Sequence, residues 1–344
     1  MKPKEKTMMT SRDIVLNLLK GEKTPCPPVM PVTMMFATDV IGKPYRDYAR
    51  DYHVLVDAQI ETARRFGFNH VSAISDPARE AADFGSSIAY FDDQPPAVDE
   101  SNALLADKSK LNGLMLPDPV GGGRMHDRIK AISSFKEKVG TEFLIEGWVE
   151  GPCAEAADLR GINSIMFDFF DDRAFITDLF DLVLENAINF ARHQIDAGAD
   201  IIGIGDAAVS LLGPQIYDEV IFQYEKKLID AIHEMGGLTR LHICGNITDI
   251  IGGMGKTGAD IIDVDSAVSM AHAREQTGER QVLLGNINPV AVLRDGTPEI
   301  IRAELQKCRD AAGQNYIVGA GCEIPRDTAR ENVEALAEFA RSCQ

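Results

Sequence analysis

Short apolar segments alternate with segments of helical periodicity along almost the whole chain, and this alternation is the feature that most limits the possible folds. Eight of the apolar segments have the length of β-strands, and they span residues 27–33, 70–75, 142–149, 200–205, 238–244, 260–265, 282–287 and 315–321. The clearest helical patterns lie at residues 47–66, 124–139, 172–197, 214–235, 297–312 and 327–342. Strands that alternate with helices favour a parallel sheet covered by helices.

Eight strand–helix units match a (β/α)₈ barrel (a TIM barrel), an α/β fold in which eight parallel strands close into a cylinder. The competing fold, an open doubly wound sheet, usually has a G-x-G-x-x-G turn after its first strand, which this chain lacks. We therefore predict one barrel domain over residues 1–344, with an N-terminal helical extension at residues 1–26. We also predict an inserted loop or hairpin region at residues 76–123, in which "SIAYF" (87–91) is a short β-like run.

The charge and cysteine content argue against several classes of function. The net charge is −18, and the basic residues form no cluster longer than pairs, so a nucleic-acid-binding surface is not predicted. No apolar run approaches the roughly 20 residues of a membrane helix, and the first residues lack the apolar core of a signal peptide. Six cysteines are spread thinly along the chain, which is typical of a reducing compartment. We expect a cytoplasmic protein.

The segment "LHICGN" (241–246) ends the fifth predicted strand and contains two possible metal ligands. His242 and Cys244 are two residues apart, so the alternation of a strand points both side chains to the same face. Gly245 follows, which allows the backbone to turn away. Because barrels collect their functional side chains at the C-terminal ends of the strands, this position favours a functional role.

Cys322 has an equivalent position, immediately after the last predicted strand. It is 78 residues from Cys244, but a barrel brings the ends of its strands to one rim. Asp265, at the end of the sixth predicted strand, is a candidate fourth ligand. One imidazole, two thiolates and a carboxylate or water suit a tetrahedral Zn²⁺ site of the catalytic type. The alternative is that both cysteines are small buried apolar residues and His242 is a hydrogen-bonded core histidine.

Acidic residues follow several other predicted strands and are candidates for binding substrate or for orienting a ligand. They are Asp76, Glu146, Glu150, Asp206 and Glu323. We take Asp76, Glu146 and Asp206 as the catalytic candidates. The alternative role for each is a helix cap or a surface charge, and Asp76 and Asp206 have the local sequence of helix N-caps.

Segments distributed over nearly the whole chain resemble the uroporphyrinogen decarboxylase superfamily. They are "SRDIVLNLLKGEKTPCPPVMP", "WVEGP", "GADIIGIGDAAVSLLGPQIYDEV", "LHICGN", "LLGNINP" and "GCEIPRDTARENVEAL". The resemblance implies the (β/α)₈ barrel that the strand count also predicts.

Two branches of that superfamily are distinguished by their motifs. The decarboxylases have an arginine-rich "RQAGR" segment after the first strand, where this chain has "MPVTMMFATD", and a "GHG"-like turn, where it has "GAGC". Asp76 in "SD" matches the decarboxylases, which keeps that alternative open. The zinc methyltransferases of corrinoid systems have H-x-C and a late cysteine, which correspond to His242, Cys244 and Cys322, and an acidic residue in the segment of Asp265 can complete their zinc shell.

The resemblance to this second branch implies a zinc-dependent methyltransferase that acts with a corrinoid (cobalamin). Since no D-x-H-x-x-G cobalamin motif occurs here, we expect the corrinoid on a separate partner protein. "EGWVEGP" and "GCEIPRDT" resemble the substrate-demethylating members of this branch more than those that methylate coenzyme M. This resemblance implies demethylation of a small methoxylated or otherwise methylated substrate, in the manner of an O-demethylase. Transfer from a methylcobamide to a thiol of the coenzyme M type is the alternative. Uroporphyrinogen decarboxylation and a non-catalytic ligand-binding barrel are further alternatives.

Overall fold

Parallel strands form the centre of the computed structural model, which describes residues 9–343. The strands are β1 (His70–Ser72), β2 (Ile88–Ala89), β3 (Ala97–Val98), β4 (Leu144–Glu150), β5 (Ile201–Gly205), β6 (Leu238–His242), β7 (Ile261–Val264), β8 (Val282–Ile287) and β9 (Tyr316–Ala320). Seven of them form one parallel sheet in the order β1-β4-β5-β6-β7-β8-β9, and β2 pairs with β3 as an antiparallel hairpin. The order follows the chain, as in a barrel.

An extended segment at residues 28–32 closes this sheet into a cylinder. On one side, Met30 N–H donates to Val318 O of β9 (3.0 Å) and Val318 N–H donates to Pro28 O (2.8 Å). On the other side, Asn69 N–H, next to β1, donates to Val29 O (2.9 Å). The predicted (β/α)₈ barrel is therefore confirmed.

The first predicted strand (27–33) differs from the others because it makes only an isolated bridge, between Val29 and Val318, and no continuous ladder. Its sequence explains this difference, since Pro27, Pro28 and Pro31 have no N–H group to donate to a neighbouring strand.

Fifteen α-helices lie within the described residues. They are α1 (Ser11–Leu19), α2 (Met35–Ile41), α3 (Tyr45–Arg50), α4 (Tyr52–Phe66), α5 (Arg79–Phe84), α6 (Arg124–Val139), α7 (Pro152–Arg160), α8 (Ile162–Asp171), α9 (Arg173–Ala197), α10 (Gly213–Ile216), α11 (Phe222–Glu234), α12 (Ile251–Met254), α13 (Met270–Thr277), α14 (Pro298–Ala312) and α15 (Arg330–Ser342). None of these helices is long and apolar enough to cross a membrane.

The six predicted helical patterns all correspond to helices, but two of them are interrupted. The pattern at 47–66 breaks at Asp51, whose extended backbone (φ −129°, ψ 109°) ends α3 and whose carboxylate caps α4 by accepting from His53 N–H. The pattern at 214–235 contains a π-helical turn at Tyr217–Ile221 between α10 and α11. The predicted patterns do not include α7 and α8, which lie between β4 and α9, nor the short helices α2, α5, α12 and α13.

The predicted N-terminal extension contains α1, and residues 1–8 of it lie outside the described residues. Val15 and Leu18 of α1 pack against an apolar layer at the N-terminal ends of the barrel strands. That layer comprises Met30, Leu144, Ile201, Ile261, Val282, Leu284 and Ile317. Helix α1 therefore covers the end of the barrel opposite the strand C-termini.

Gly203 and Gly205 on the inner face of β5 leave room for the chain's one tryptophan. A Cβ atom at Gly203 would lie 2.1 Å from the Trp148 ring, and one at Gly205 would lie 3.0 Å from it. Trp148 of β4 therefore points into the barrel. There it packs with Val32 and Ile74 in a small apolar cluster, separate from the main core between the barrel and its helices.

Candidate metal centre

His242, Cys244 and Cys322 meet at the C-terminal rim of the barrel. His242 is the last residue of β6, Cys244 lies two residues beyond it, and Cys322 lies two residues beyond the end of β9. His242 Nε2 lies 2.9 Å from Cys244 Sγ and 3.9 Å from Cys322 Sγ, and the two sulfurs are 3.6 Å apart. Within residues 9–343, this is the one group of three or more His, Cys, Asp or Glu side chains whose ligand atoms all lie within 4.8 Å of one another.

Two glycines next to the cysteines make this approach possible. Gly245 has a φ of +95°, a left-handed conformation that glycine adopts without steric cost, and it turns the chain away from the rim directly after Cys244. Gly321 precedes Cys322, and a Cβ atom there would lie 2.3 Å from the backbone nitrogen of Ser266. The loops after β7 and β9 can therefore pack together only because residue 321 has no side chain.

The imidazole of His242 is held from below by a buried ionic network. Its Nδ1 lies 2.8 Å from Asp263 Oδ2 on the neighbouring strand β7. Asp263 accepts three hydrogen bonds of 2.8–3.1 Å from Arg240, and Arg240 Nη1 also donates to Glu146 Oε1 at 3.0 Å. Glu146 Oε2 in turn lies 3.6 Å from His70 Nε2.

Opposite charges determine the protonation of this region. Burial alone would lower the pKa of His242, but the Cys244 sulfur and the hydrogen bond with Asp263 raise it well above its ordinary value. Burial alone would raise the pKa of Asp263, but Arg240 and His242 lower it below its ordinary value. The hydrogen bond from the Cys244 thiol lowers the pKa of Cys322. The group therefore favours a cysteine thiolate beside a hydrogen-bonded imidazole.

The donor set fits a zinc ion. A tetrahedral Zn²⁺ with sulfurs at about 2.3 Å and an imidazole nitrogen at about 2.0 Å keeps its donors roughly 3.5–3.8 Å apart. The sulfur–sulfur distance of 3.6 Å matches this value, and the two nitrogen–sulfur distances, 2.9 and 3.9 Å, lie on either side of it. One imidazole and two sulfurs are also the ligand types that zinc prefers over magnesium or calcium.

Asp265, the predicted fourth ligand, lies beside this group but is not one of its three members. Its Oδ2 accepts from Gly245 N–H at 2.9 Å, and its Oδ1 accepts from Ala267 N–H at 2.8 Å. Both carboxylate oxygens therefore bind backbone in this structure, and a direct contact with a metal remains a prediction.

The three predicted catalytic carboxylates lie in different surroundings. Glu146 is buried inside the barrel, where it is linked to His242 through Arg240 and Asp263. Asp76 is also buried, and Arg124 holds both its oxygens, with distances of 2.6 and 2.7 Å. Neither side chain contacts the three candidate ligands directly.

Asp206 points away from the barrel interior and has no exposed surface. Its Oδ1 accepts from Ala154 N–H at 2.6 Å in the first turn of α7, where a carboxylate is stabilised by the helix dipole. Burial raises the pKa of Asp206 to about 7. The carboxylate thus serves as a cap for α7, and its predicted catalytic role stays a prediction.

The two remaining strand-end acids have structural contacts as well. Glu150 accepts from Arg79 Nη2 at 3.0 Å. Glu323 accepts from the N–H groups of Met34 and Met35 at 3.1 and 2.8 Å, at the beginning of α2. Burial raises the pKa of Glu323 to about 7.

The sequence prediction missed Arg240 and Asp263, although the sequence contains a signal for both. Each is a charged residue inside an otherwise apolar strand, and Arg240 has the same two-residue alternation as His242 and Cys244. A charge on the inward face of a central strand requires a buried partner, so the two residues could have been paired with each other.

The chain matches known proteins over nearly its whole length. The family described as Uroporphyrinogen decarboxylase (URO-D) matches residues 10–343. The methylcobamide:CoM methyltransferase MtbA of Methanosarcina mazei is 32% identical over 280 residues, which is 80% of each chain. A uroporphyrinogen decarboxylase of Microcystis aeruginosa is 26% identical over 95% of this chain and 96% of the other. A solved structure of a methyltransferase from Methanosarcina mazei has a TM-score of 0.89 and 25% identity, and covers 97% of this chain and 99% of that one.

Proposed function

We propose that this chain, which belongs to the uroporphyrinogen decarboxylase family, is a zinc-dependent methyltransferase of a corrinoid system. It transfers a methyl group between a small methylated substrate, in the first place a methoxylated compound, and the cobalt of a corrinoid on a separate protein. The observation that carries this proposal is the convergence of His242, Cys244 and Cys322 at one rim of the barrel. The relatives named as methyltransferases confirm the predicted class of enzyme.

The residues of the site have distinct roles in this proposal. His242 Nε2 and the sulfurs of Cys244 and Cys322 would hold the ion, and Asp265 would complete its shell in the absence of substrate. Zinc bound there would act as a Lewis acid and stabilise negative charge on the substrate atom, oxygen or sulfur, that loses or gains the methyl group. Asp263 keeps the imidazole in place, and the thiolate of Cys322 is favoured by the hydrogen bond from Cys244.

The apolar cluster inside the barrel supports a small substrate. The Trp148 ring lies 6.3 Å from the His242 ring, between their centroids, and packs with Val32, Ile74 and the partly buried Met34. These side chains offer an apolar surface beside the candidate ligands. A methyl or methoxy group is well suited to such a surface, since its binding depends on the burial of apolar area.

Three arginines with little or no exposed surface argue against a porphyrinogen substrate. A polycarboxylate of that kind requires cations that are free to pair with it. Arg79, Arg124 and Arg240 are each paired with carboxylates of the chain itself.

Transfer to a thiol is the second candidate function. Three relatives, MtbA from two Methanosarcina species and MtaA from a third, are named as methylcobamide:CoM methyltransferases, and coenzyme M is a thiol. Zinc held by the same three ligands would lower the pKa of a thiol substrate, so the same residues would also serve this direction.

The experiment that tests the proposal measures zinc binding and methyl transfer in the same variants. We expect one zinc ion per wild-type chain, and we expect Cys322→Ser to lose both zinc and activity while it remains folded. Cys308→Ser is the matched control, since Cys308 lies outside the candidate centre and should leave both unchanged.

Activity is assayed in both directions through the absorbance of methylcob(III)alamin. Its formation from cob(I)alamin and a panel of methoxylated donors supports demethylation, and its consumption with thiols supports the second candidate. Decarboxylation of uroporphyrinogen without zinc-dependent methyl transfer in either direction would show that the proposal is wrong.

A further inference from the structure

The buried network beneath His242 suggests a role for a residue that no sequence motif identified. We propose that Asp263, held in place by Arg240, is a positioning residue that orients the imidazole of His242 and thereby determines the affinity of the metal centre. This inference rests on the proposed function, because it assumes that His242 is a zinc ligand.

The strand register places Asp263 beside His242. Arg240 of β6 pairs with Ile261 of β7, and Leu241 pairs with Ile262, so the next positions along the two strands, 242 and 263, are level with each other. Both side chains point into the barrel, and Asp263 Oδ2 lies 2.8 Å from His242 Nδ1. The contact therefore follows from the sheet itself and does not depend on a flexible loop.

This contact determines which nitrogen of His242 can bind a metal. A carboxylate paired with an arginine can only accept a hydrogen bond, so Nδ1 of the imidazole carries the proton that it donates. In the neutral imidazole that binds a metal, the lone pair then lies on Nε2, and Nε2 is the atom that lies 2.9 Å from Cys244 Sγ. Metal-binding histidines commonly have such a carboxylate partner, and loss of the partner typically lowers metal affinity about 10–100-fold.

Arg240 prevents the Asp263 carboxylate from turning away. It donates through Nε to both oxygens, at 2.9 and 3.1 Å, and through Nη2 to Oδ2 at 2.8 Å. Its remaining nitrogen, Nη1, donates to Glu146 at 3.0 Å, so the guanidinium is itself fixed from two strands. Arg240 is fully buried, and Asp263 is 3% exposed.

A second Asp–His pair near the same strand offers a matched control. Asp260, just before β7, has its Oδ2 2.9 Å from His233 Nε2, but both side chains are partly exposed and His233 lies on the outer helix α11. Asp260→Asn and Asp263→Asn are thus the same substitution, three residues apart, in contact with different histidines. The removal of a carboxylate that contacts a histidine is common to both variants, whereas an effect on the metal centre should appear only at residue 263.

The experiment measures zinc affinity by competition with a chromophoric chelator, together with the absorption spectrum of the Co²⁺-substituted protein. We expect Asp263→Asn to bind zinc about 10–100-fold more weakly than wild type and to change the Co²⁺ spectrum. Asp260→Asn should match wild type in both measurements. Wild-type affinity and an unchanged spectrum in Asp263→Asn would overturn the inference and leave the proposed function intact.

Two further results have a defined meaning. If Asp263→Asn does not fold, Arg240→Lys decides the question, because one ammonium group keeps the charge but cannot hold Asp263 and Glu146 together. We expect this variant also to bind zinc more weakly, and an unchanged affinity would overturn the inference. If the wild-type protein binds no zinc, the inference and the proposed function are both wrong.

Discussion

Trp148 is the residue that connects the barrel interior with the candidate metal centre, and its position depends on a glycine of β5. A Cβ atom at Gly203 would lie 2.1 Å from the Trp148 ring, a distance that real contacts do not reach. We expect Gly203→Ala to lower the free energy of unfolding by about 1–3 kcal/mol, as overpacked cores do. Because Trp148 is the chain's single tryptophan, its fluorescence during urea unfolding reports both the stability and the surroundings of the ring.

Gly113→Ala provides the control for this substitution. A Cβ atom at Gly113 would have no neighbour within 4 Å, so we expect a change of less than about 1 kcal/mol and an unchanged emission maximum. Equal stability of the two alanine variants would contradict the position of Trp148.

His70 should make stability depend on pH. Burial lowers the pKa of His70 to about 4, although the neighbouring Glu146 opposes this shift. The unfolded chain therefore binds a proton at His70 below pH about 6.5, while the folded chain does so only below about 4. The stabilisation is complete above pH 6.5 and is lost as the pH falls towards 4, by roughly 3 kcal/mol in total.

The measurement compares the unfolding of wild type and His70→Gln in urea at a series of pH values, because the other buried titratable groups are common to both proteins. The stability difference between them should be constant above pH 6.5 and should change steadily below it. His53→Gln, at an exposed position of α4, should follow wild type throughout. A difference that does not vary with pH would show that His70 does not carry the effect.

The convergence of the three candidate ligands was predictable from the sequence. For the residues that support them, the sequence signals a buried ion pair but not the contact of that pair with His242. His242, Cys244 and Cys322 have a distinctive chemistry and stand at the ends of recognisable strands, so a barrel necessarily brings them together. The contact of Arg240 with Asp263 depends on the register between two strands, which no local pattern specifies. In the sequence, Asp206 directly follows a strand, as a residue of the functional rim would. In the structure, however, its side chain points outward to α7.

At the scale of secondary-structure elements, α1 is the element whose role is most easily tested. Leu18 of α1 is buried in the apolar layer at the N-terminal ends of the strands. We expect Leu18→Ala to lower the free energy of unfolding by about 2–5 kcal/mol, as the removal of a buried leucine side chain does. Urea denaturation followed by circular dichroism measures this change.

Two comparisons make this test specific. Lys20→Ala, at an exposed position next to α1, should change the stability by no more than about 0.5 kcal/mol. Zinc affinity should be equal in all three proteins, because α1 and the candidate metal centre lie at opposite ends of the barrel. A Leu18→Ala protein as stable as Lys20→Ala would mean that α1 does not close the barrel.

The elements themselves were largely predictable, because periodicity is a local property. Helix α6 has the predicted bounds, 124–139, and seven of the eight predicted strands belong to the parallel sheet. The errors have physical causes that periodicity does not detect. Asp51 interrupts a continuous helical pattern because its carboxylate caps the next helix. The prolines of residues 27–33 lack the N–H groups that would hydrogen-bond to neighbouring strands.

For the molecule as a whole, the candidate metal centre joins parts of the chain that are distant in sequence. Its candidate ligands lie at and after the end of β6 and after β9, with β7 and β8 between those strands. The network of Arg240, Asp263 and Glu146 holds the same region together without a metal. We therefore expect the barrel to fold without zinc, and zinc to stabilise a site that already exists.

This expectation gives a quantitative result for metal removal. A ligand that binds only the folded state stabilises it by about 2.7 kcal/mol when its free concentration is about 100 times the dissociation constant. Chelation should therefore lower the melting temperature by several degrees and leave the far-ultraviolet circular dichroism of the folded protein unchanged. Cys322→Ser should melt at the same temperature with and without zinc, whereas Cys308→Ser should respond as wild type does. If chelation unfolds the wild-type protein, the ion is an essential part of the fold. If the wild-type protein melts at the same temperature with and without zinc, the barrel rim does not bind the ion.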